Sequence, residues 1–513
     1  MVPFPVPSGS YRDLAVVKDG VVWIEVADRG GELGATRAGV TGEAPSDVLW
    51  HYNLSARHLD KLCERVDTFS VSGDGERLVV RHRDDTIVVP SSHKVDDDDP
   101  AYIRVDLTRL RRTVNPRAEW RQMFDENGRL MASHYWREDM NGVDWDSVLN
   151  RYRPLVDLCH VVDDLHDILW ETVAELNTSH SYVSASGAAG DSDMRAGLLG
   201  ADVSSGNDGA KVVRVIPGES SDPRAWSPLR AAGVAVTEGD VIVAVDGRKV
   251  GADGNLGELL EGSAGRVVEL TVRRGENERQ VAVVPMADEA PLRYHDWVAS
   301  RRRYVEEHSG GRLGYLHVPD MVSDGWAELH RQIGEATRHE GVIADVRFNH
   351  GGHTSQLVVE RLARRVVGWD YSRWYATADT YPQNAVRGPI VMVTNQWAGS
   401  DGDIVAAATQ AMGYAKVIGE RSWGGVVGID GRFDLVDGTS VTQPRYAGWY
   451  GSYGWGVENH GVDPDIVVTV SPEDWEADCD VQLDAAIAEC LRQLDDKPAA
   501  TAPELPGPAF DRC

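Results

Sequence analysis

The sequence predicts a multidomain α/β chain whose C-terminal half is built on a mainly parallel sheet. Its 513 residues exceed the ~250–300 at which single cores stop growing. With 42% hydrophobic residues, 16 Trp and 16 Tyr, it has enough apolar material for several cores. From about residue 310 onward, short β-branched apolar runs alternate with helical periodicity, the pattern of βα units.

Composition narrows the partners. A formal net charge of −29 argues against nucleic acid and against anionic membrane surfaces. No apolar run approaches the ~20 residues of a membrane span. The opening Met-Val-Pro-Phe-Pro-Val-Pro has no basic segment followed by an apolar one, so no signal peptide is expected. Five scattered cysteines with no metal-like spacing fit a reducing cytoplasm.

Residues 1–95 read as β, with short strands at 15–17, 20–26, 68–71, 77–82 and 86–90 separated by polar turns. The run around 66–81 is similar to a β-propeller blade. There is room for about two blades, so a partial propeller is expected. The acidic run 96–100 reads as a solvated linker. Residues 101–184 change to helical spacing at 120–124, 145–152 and 160–176, ending at Asn177-Thr-Ser-His180. Residues 185–288 resemble a PDZ domain. Strands are expected at 212–216, 240–248 and 267–274, and a helix at 229–234. An extended peptide would add at the sheet edge, its carboxylate on backbone N–H groups near Leu198-Leu-Gly200.

Residues 289–475 form the α/β core, with strands at 313–318, 341–347, 390–394 and 416–419 and helices at 325–337 and 356–367. A helix over 472–495 closes the chain. The proline-rich 496–513 reads as a disordered tail, so 476–513 is helix plus tail. In parallel sheets ligands bind outside the strand C-termini. The loop 347–353 and the turn around Ser400 both follow such ends.

The turn Gly399-Ser-Asp-Gly-Asp403 joins a buried strand to a small-residue helix. A serine there has backbone N–H groups and a helix N-terminus beside it, which suits a nucleophile and a developing oxyanion. Helix capping by Ser400 and Asp401 explains the same residues equally well.

Longer motifs separate these readings. They are Asn177-Thr-Ser-His180, Asp345-Val-Arg-Phe-Asn-His-Gly-Gly352, Asn395-Gln-Trp-Ala-Gly-Ser-Asp-Gly-Asp403, Arg421-Ser-Trp-Gly-Gly-Val-Val-Gly428 and Gly456-Val-Glu-Asn-His-Gly-Val-Asp-Pro-Asp465. In this order, with a PDZ-like domain between them, they closely resemble the tricorn protease family, a branch of the tail-specific serine peptidases. The resemblance spans roughly 60–475. It implies Ser400 as nucleophile and His180 as general base, completed by Ser179 and Glu458 into a Ser-His-Ser-Glu tetrad. It also implies an oxyanion hole from the N–H groups of Asp401 and Gly352. Asp370 would favour basic side chains before the cleaved bond, from a neighbouring subunit.

By the same resemblance the chain would be a cytoplasmic serine endopeptidase with some exopeptidase character, trimming peptides downstream of larger proteases. With no P-loop or other nucleotide site in the sequence it would be ATP-independent, and no cofactor is expected. The family's ring assembly would make it a homo-hexamer. The propeller halves lacking here would come from another chain or from none. One departure stands out: the family loop usually reads Asn-Gly-Gly-Gly, and His350 occupies the first glycine position. A non-glycine restricts the backbone there, which keeps a second reading, a PDZ-containing peptide-binding scaffold whose catalysis has lapsed. His350 and His353 as a metal pair lack a third ligand, so no metal is expected. An extracellular C-terminal-processing role would need a secretion signal.

Overall fold

The structure, a computed structural model, describes residues 6, 9–27, 46–83, 85–111, 113–185, 194–251, 255–374, 377–431 and 433–505. It divides into two compact units, residues 1–36 with 40–114 and residues 37–39 with 115–513.

The first unit holds two four-stranded antiparallel meanders. One comprises β1 (Tyr11–Val17), β2 (Gly20–Glu25), β3 (Val48–Asn53) and β4 (His58–Glu64). The other comprises β5 (Thr68–Val71), β6 (Arg77–His82), β7 (Asp85–Pro90) and β8 (Ile103–Arg104). Period-two alternation builds them. In β6, Leu78 and Val80 point inward while Arg77, Val79 and Arg81 face out. Leu78 and Val80 join Val22, Ile24 and Leu49 in one core. Strands β3 and β4 were not expected, because His51, Asp60 and Lys61 interrupt their apolar runs. Part of the segment read as propeller, 28–45, lies outside the described residues, as do residues 1–5.

The second unit opens with three helices, α1 (Pro116–His134), α2 (Trp145–Val156) and α3 (Val162–Ala174). Helix α1 is far longer than the single turn expected at 120–124. Asn115 caps it, Pro116 starts it, and Met123, Phe124, Leu130 and Met131 are its buried stripe. Behind α3, the short strand β9 (Val183–Ser184) follows the His180 segment.

An antiparallel sheet comes next: β10 (Ala201–Gly206), β11 (Gly209–Val215), β12 (Val241–Val245), β13 (Arg248–Lys249), then the short helix α4 (Leu256–Leu259), β14 (Val268–Arg274) and β15 (Asn277–Val283). The strand order is β10-β11-β12-β14-β15, with β13 on β12. One expectation fails here: the helix at 229–234 is only a 3₁₀ turn at Pro228–Arg230. In the 198–200 loop the N–H of Leu198 is taken, donating to the carbonyl of Met286 at 2.8 Å while Leu198 accepts the return bond. The N–H groups of Leu199 and Gly200 donate no backbone hydrogen bond among the described residues.

The core that positions the site follows: α5 (Ala290–His308), β16 (Leu313–His317), α6 (Ser323–Ala336), β17 (Gly341–Asp345), α7 (Ser355–Leu362), the hairpin β18 (Gly368–Asp370) and β19 (Asp379–Tyr381), β20 (Ile390–Thr394), α8 (Asp401–Met412), β21 (Ala415–Gly419), β22 (Gly428–Asp430), β23 (Ser440–Val441), β24 (Gln443–Tyr446), β25 (Ile466–Val467), α9 (Pro472–Glu476) and α10 (Val481–Asp496). Five strands pair in parallel in the order β16-β17-β20-β21-β25. Strands β16, β17 and β20 are buried at every residue. Alternate side chains serve opposite faces. Val342, Ala344 and Met392 pack against α6, α7 and α8. Ile343, Val391 and Val393 pack against α5 and α10.

Helix α7 stops five residues before the expected 367, and the chain turns into the hairpin that carries Asp370. The tail expected to be disordered is docked over 497–505: the N–H of Ala500 donates to Arg387 O at 2.8 Å, and the Tyr371 hydroxyl donates to Pro503 O. Prolines bar a helix there but leave an extended backbone free to pair. Residues 506–513 lie outside the described residues. No described helix is long and apolar enough to cross a membrane.

Candidate active site

Strand β20 ends at Thr394, and α8 begins at Asp401. Between them Ser400 holds φ 58° and ψ −120°, a sparsely populated backbone conformation for a side-chain-bearing residue. Its side chain makes no cap hydrogen bond to α8. The Asp401 carboxylate is also spent elsewhere, accepting from Ser355 N at 3.0 Å and so tying the start of α7 to α8. Simple capping therefore does not account for either residue. Buried Asp403 braces the turn from inside, accepting from Ser422 Oγ at 2.5 Å and Gly424 N at 2.8 Å. Burial pushes its carboxyl up to about 6.

The loop after β17 lies against this turn. Asn349 is fully buried; its Nδ2 donates to Val318 O at 2.8 Å, and its Oδ1 accepts from Gly351 N at 2.9 Å. The Asn349 carbonyl accepts from Gly399 N at 3.0 Å. Gly351 has φ +75°, and a Cβ there would lie 2.5 Å from Ser400 Cβ. Gly352 has φ +147°, and a Cβ there would lie 2.2 Å from Met321 O. Both positions require glycine. His350 does not share that need: the left-handed residues of the loop are Phe348, Gly351 and Gly352, and the His350 N–H donates to Pro319 O at 3.0 Å. The substitution at the first glycine position thus costs no backbone strain. Among the described residues, the N–H groups of Asp401 and Gly352 donate no hydrogen bond.

The His180 segment reaches the same region from the end of α3. The Glu458 carboxylate gathers four donors: Ser179 N at 2.6 Å, Ser179 Oγ at 3.0 Å, Val426 N at 2.7 Å and Val427 N at 3.0 Å. Ser179 Oγ lies 3.0 Å from His180 Nδ1. The tautomer follows from valence. A carboxylate only accepts, so the single Ser179 proton goes to Glu458; the Ser179 oxygen then accepts from Nδ1–H, and the lone pair of His180 sits on Nε2. Burial holds the imidazole below its ordinary value, and the charge of Glu458 pulls it partly back. The ring sits edge-on to Tyr182 at 5.7 Å and to Trp423 at 5.5 Å. Trp423 in turn covers the Ser400 turn, since a Cβ on Gly399 would lie 2.7 Å from its ring.

The structure thus joins Ser179, His180 and Glu458 directly. It sets Ser400, Asp401 and Gly352 side by side through the Gly351 contact, and Trp423 bridges the two groups. No hydrogen bond joins Ser400 to His180 among the described residues. Asp370 is not part of the cluster: it is exposed on β18, opposite Asp379 of β19. Sequence reasoning assigned no role to Asn349, Asp403, Trp423 or Asn395, whose Oδ1 accepts from Phe348 N at 3.0 Å and Trp397 N at 3.2 Å. Each stands inside or beside a quoted glycine motif, but nothing local showed what it would hold.

Comparison with known proteins places these elements. The model of peptidase family S41 matches residues 312–468, that of the tricorn protease PDZ domain 197–288, and that of the tricorn protease C1 domain 116–174. Tricorn protease homolog 1 of Streptomyces coelicolor is 55% identical over 511 residues, which is 99% of this chain and 48% of that protein. Tricorn protease of Thermoplasma acidophilum is 34% identical over 96% of this chain and 45% of its own length. A crystal structure of the tricorn protease superimposes with a TM-score of 0.87 at 32% identity, covering 96% of this chain and 47% of that one. The chain spans about half the length of the curated relatives it matches.

Proposed function

Since the chain belongs to the tricorn protease family, within peptidase family S41, we propose that it is a serine peptidase that hydrolyses peptides through Ser400. The observation that carries this reading is the relay Glu458–Ser179–His180, which leaves the Nε2 lone pair as the free end of a base beside the Ser400 turn. His180 takes the Ser400 proton as Oγ attacks the scissile carbonyl, and then returns it to the leaving amine. Glu458 stabilises the imidazolium through the Ser179 hydroxyl. The unspent N–H groups of Asp401 and Gly352, at the positive end of α8, receive the oxyanion. Substrate draws Ser400 and His180 into hydrogen-bond contact, a tightening common between free and substrate-bound sites.

Asp370 supplies selectivity for Lys or Arg before the cleaved bond in a neighbouring copy, since it is exposed on β18 and makes no contact with the Ser400–His180 cluster among the described residues. That reading implies a homo-oligomer, a hexamer by family resemblance. The two meanders of the first unit serve as propeller blades, completed by a further chain or left as a pair. The substrates are peptides released by larger cytoplasmic proteases.

An active-site-directed fluorophosphonate tests the core of this reading. Wild-type protein should be labelled at Ser400, and Ser400→Ala and His180→Ala should not. Labelling of a different residue, or none in wild-type protein that cleaves peptides, would overturn it.

A further inference from the structure

A second concave site opens at the same strand ends, on the opposite face of the sheet. The hydrolytic residues follow β17 and β20 on the α7/α8 side. On the α5/α10 side lies a cavity of ~520 Å³, within the ~300–1,000 Å³ range of ligand sites. Its walls are aromatic: Trp297 from α5, Phe348 after β17, Trp397 after β20 and Trp475 from α9. Trp397 and Trp475 are 64% and 78% exposed, so their indole faces are open to an occupant. Phe348 holds φ 59°, a strained conformation for a bulky residue, and packs edge-on to Trp297 at 6.1 Å.

The charges around this cavity are one-sided once internal pairs are removed. Arg347 and Arg301 both line it, yet Arg347 is bound to Asp345 at 2.7 Å and Asp480 at 2.8 Å, and Arg301 to Asp480 at 3.1 Å. Both guanidiniums are largely buried. Asp478 also lies 3.8 Å from Arg301, and Asp474 caps α9 by accepting from Ser471. This leaves Glu420, bound only to Gln482 Nε2 at 3.4 Å, and Asp474 as wall carboxylates without a cationic partner among the described residues. Exposed indole faces beside carboxylates favour a cation with an apolar stem.

We propose that this cavity binds a guanidinium or ammonium side chain of a peptide, with Trp397 and Trp475 stacking on it and Glu420 receiving its charge. The site is separate from the hydrolytic one, yet tied to it. Asn395 accepts from Phe348 N on the glycine loop and from Trp397 N just ahead of the Ser400 turn. An occupant that shifts either aromatic therefore pulls on both parts of the hydrolytic frame.

The test uses the full chain carrying Ser400→Ala, so that nothing is cleaved, and three probes: the N-acetyl amides of arginine, leucine and glutamate. Affinity is read by ligand-observed NMR titration. The arginine amide should bind saturably, and the leucine and glutamate amides at least about tenfold more weakly. Adding Trp475→Ala or Glu420→Gln should weaken arginine binding about tenfold, the scale of a partly desolvated cation–π contact. Trp475 is exposed and Glu420→Gln is isosteric, so neither change threatens folding, and an unchanged circular dichroism spectrum checks this. Adding Asp370→Asn should leave the affinity unchanged. Three results would each overturn the proposal: no saturable binding, equal binding of the leucine amide, or loss of binding through Asp370→Asn alone. None of these depends on whether Ser400 is the nucleophile.

Discussion

The relay around His180 and the hairpin bearing Asp370 are opposites in how their charges are satisfied. Glu458 is held by four donors from two segments of its own chain. Asp370 stands exposed on a three-residue strand, facing another aspartate across the hairpin. A satisfied carboxylate is a fixed part whose geometry the chain itself guarantees. An exposed one is satisfied by water and keeps its lone pairs open to a partner. The contrast separates a hydrogen-bonded relay complete within this chain from an exposed carboxylate that is not.

The largest effects should come from breaking the complete side. Ser400→Ala and His180→Ala should each reduce peptide hydrolysis by a factor of ~10⁴ to 10⁶, and the double variant should be hardly worse, because the two act as a unit. Additive losses in kcat/KM would remove His180 from the role of base. Next is the frame that aligns them. Gly351→Ala places a Cβ 2.5 Å from Ser400 Cβ at φ +75°. Displacing the nucleophile in this way should cost about 10²-fold in kcat. A wild-type rate in Gly351→Ala would show that the loop does not set the Ser400 position.

Glu458→Gln probes the relay more gently. Glutamine presents an N–H₂ to donors that need an acceptor, so a loss of ~10- to 100-fold is expected, the scale of a hydrogen bond to a charged group. The variant also carries a sign. His180 must be neutral to act as base, and burial already lowers its pKa while Glu458 raises it. The acid limb of kcat/KM should therefore fall below the ordinary histidine value of ~6.5, and losing Glu458 should move it lower still. A limb that shifts upward would contradict this.

The smallest and most selective effect belongs to the incomplete side. Asp370→Asn should weaken kcat/KM on substrates with Lys or Arg before the cleaved bond by ~1–3 kcal/mol, and leave Leu or Phe substrates nearly unchanged. Diluting the enzyme should lower its specific activity on basic substrates if a neighbour supplies Asp370. Equal losses across the panel, or a rate independent of concentration in a monomeric protein, would place Asp370 outside any shared pocket.

Much of this was legible before folding. The buried strand at 390–394, the helix after Ser400 and the glycine pair at 351–352 are local signals, carried by periodicity and by the residue that adopts φ > 0 without strain. The βα alternation predicted the parallel sheet. Length was harder to read: α1 runs 19 residues because its capped start and buried stripe outweigh the polar residues between them. The tail over 497–505 read as disordered from its prolines, but it contributes a backbone pair to Arg387, and no local composition encodes that partner.

Taken alone, the amino-acid order determined which short segments are strands, helices and glycine turns, because those preferences act over a few residues. It also placed a serine on a strand-to-helix turn and a histidine beyond a helix end. Only the tertiary structure decided what they face. Ser179 and Glu458 are 279 positions apart, and no periodicity reaches across that distance. It decided that Ser400 holds a strained turn instead of capping α8, and that His350 escapes the strain its loop imposes on Phe348. It also gathered four aromatics from separate elements into one cavity. Side chains this far apart in sequence meet only when the sheet and its two helix layers close, so their chemistry is a property of packing and not of order along the chain.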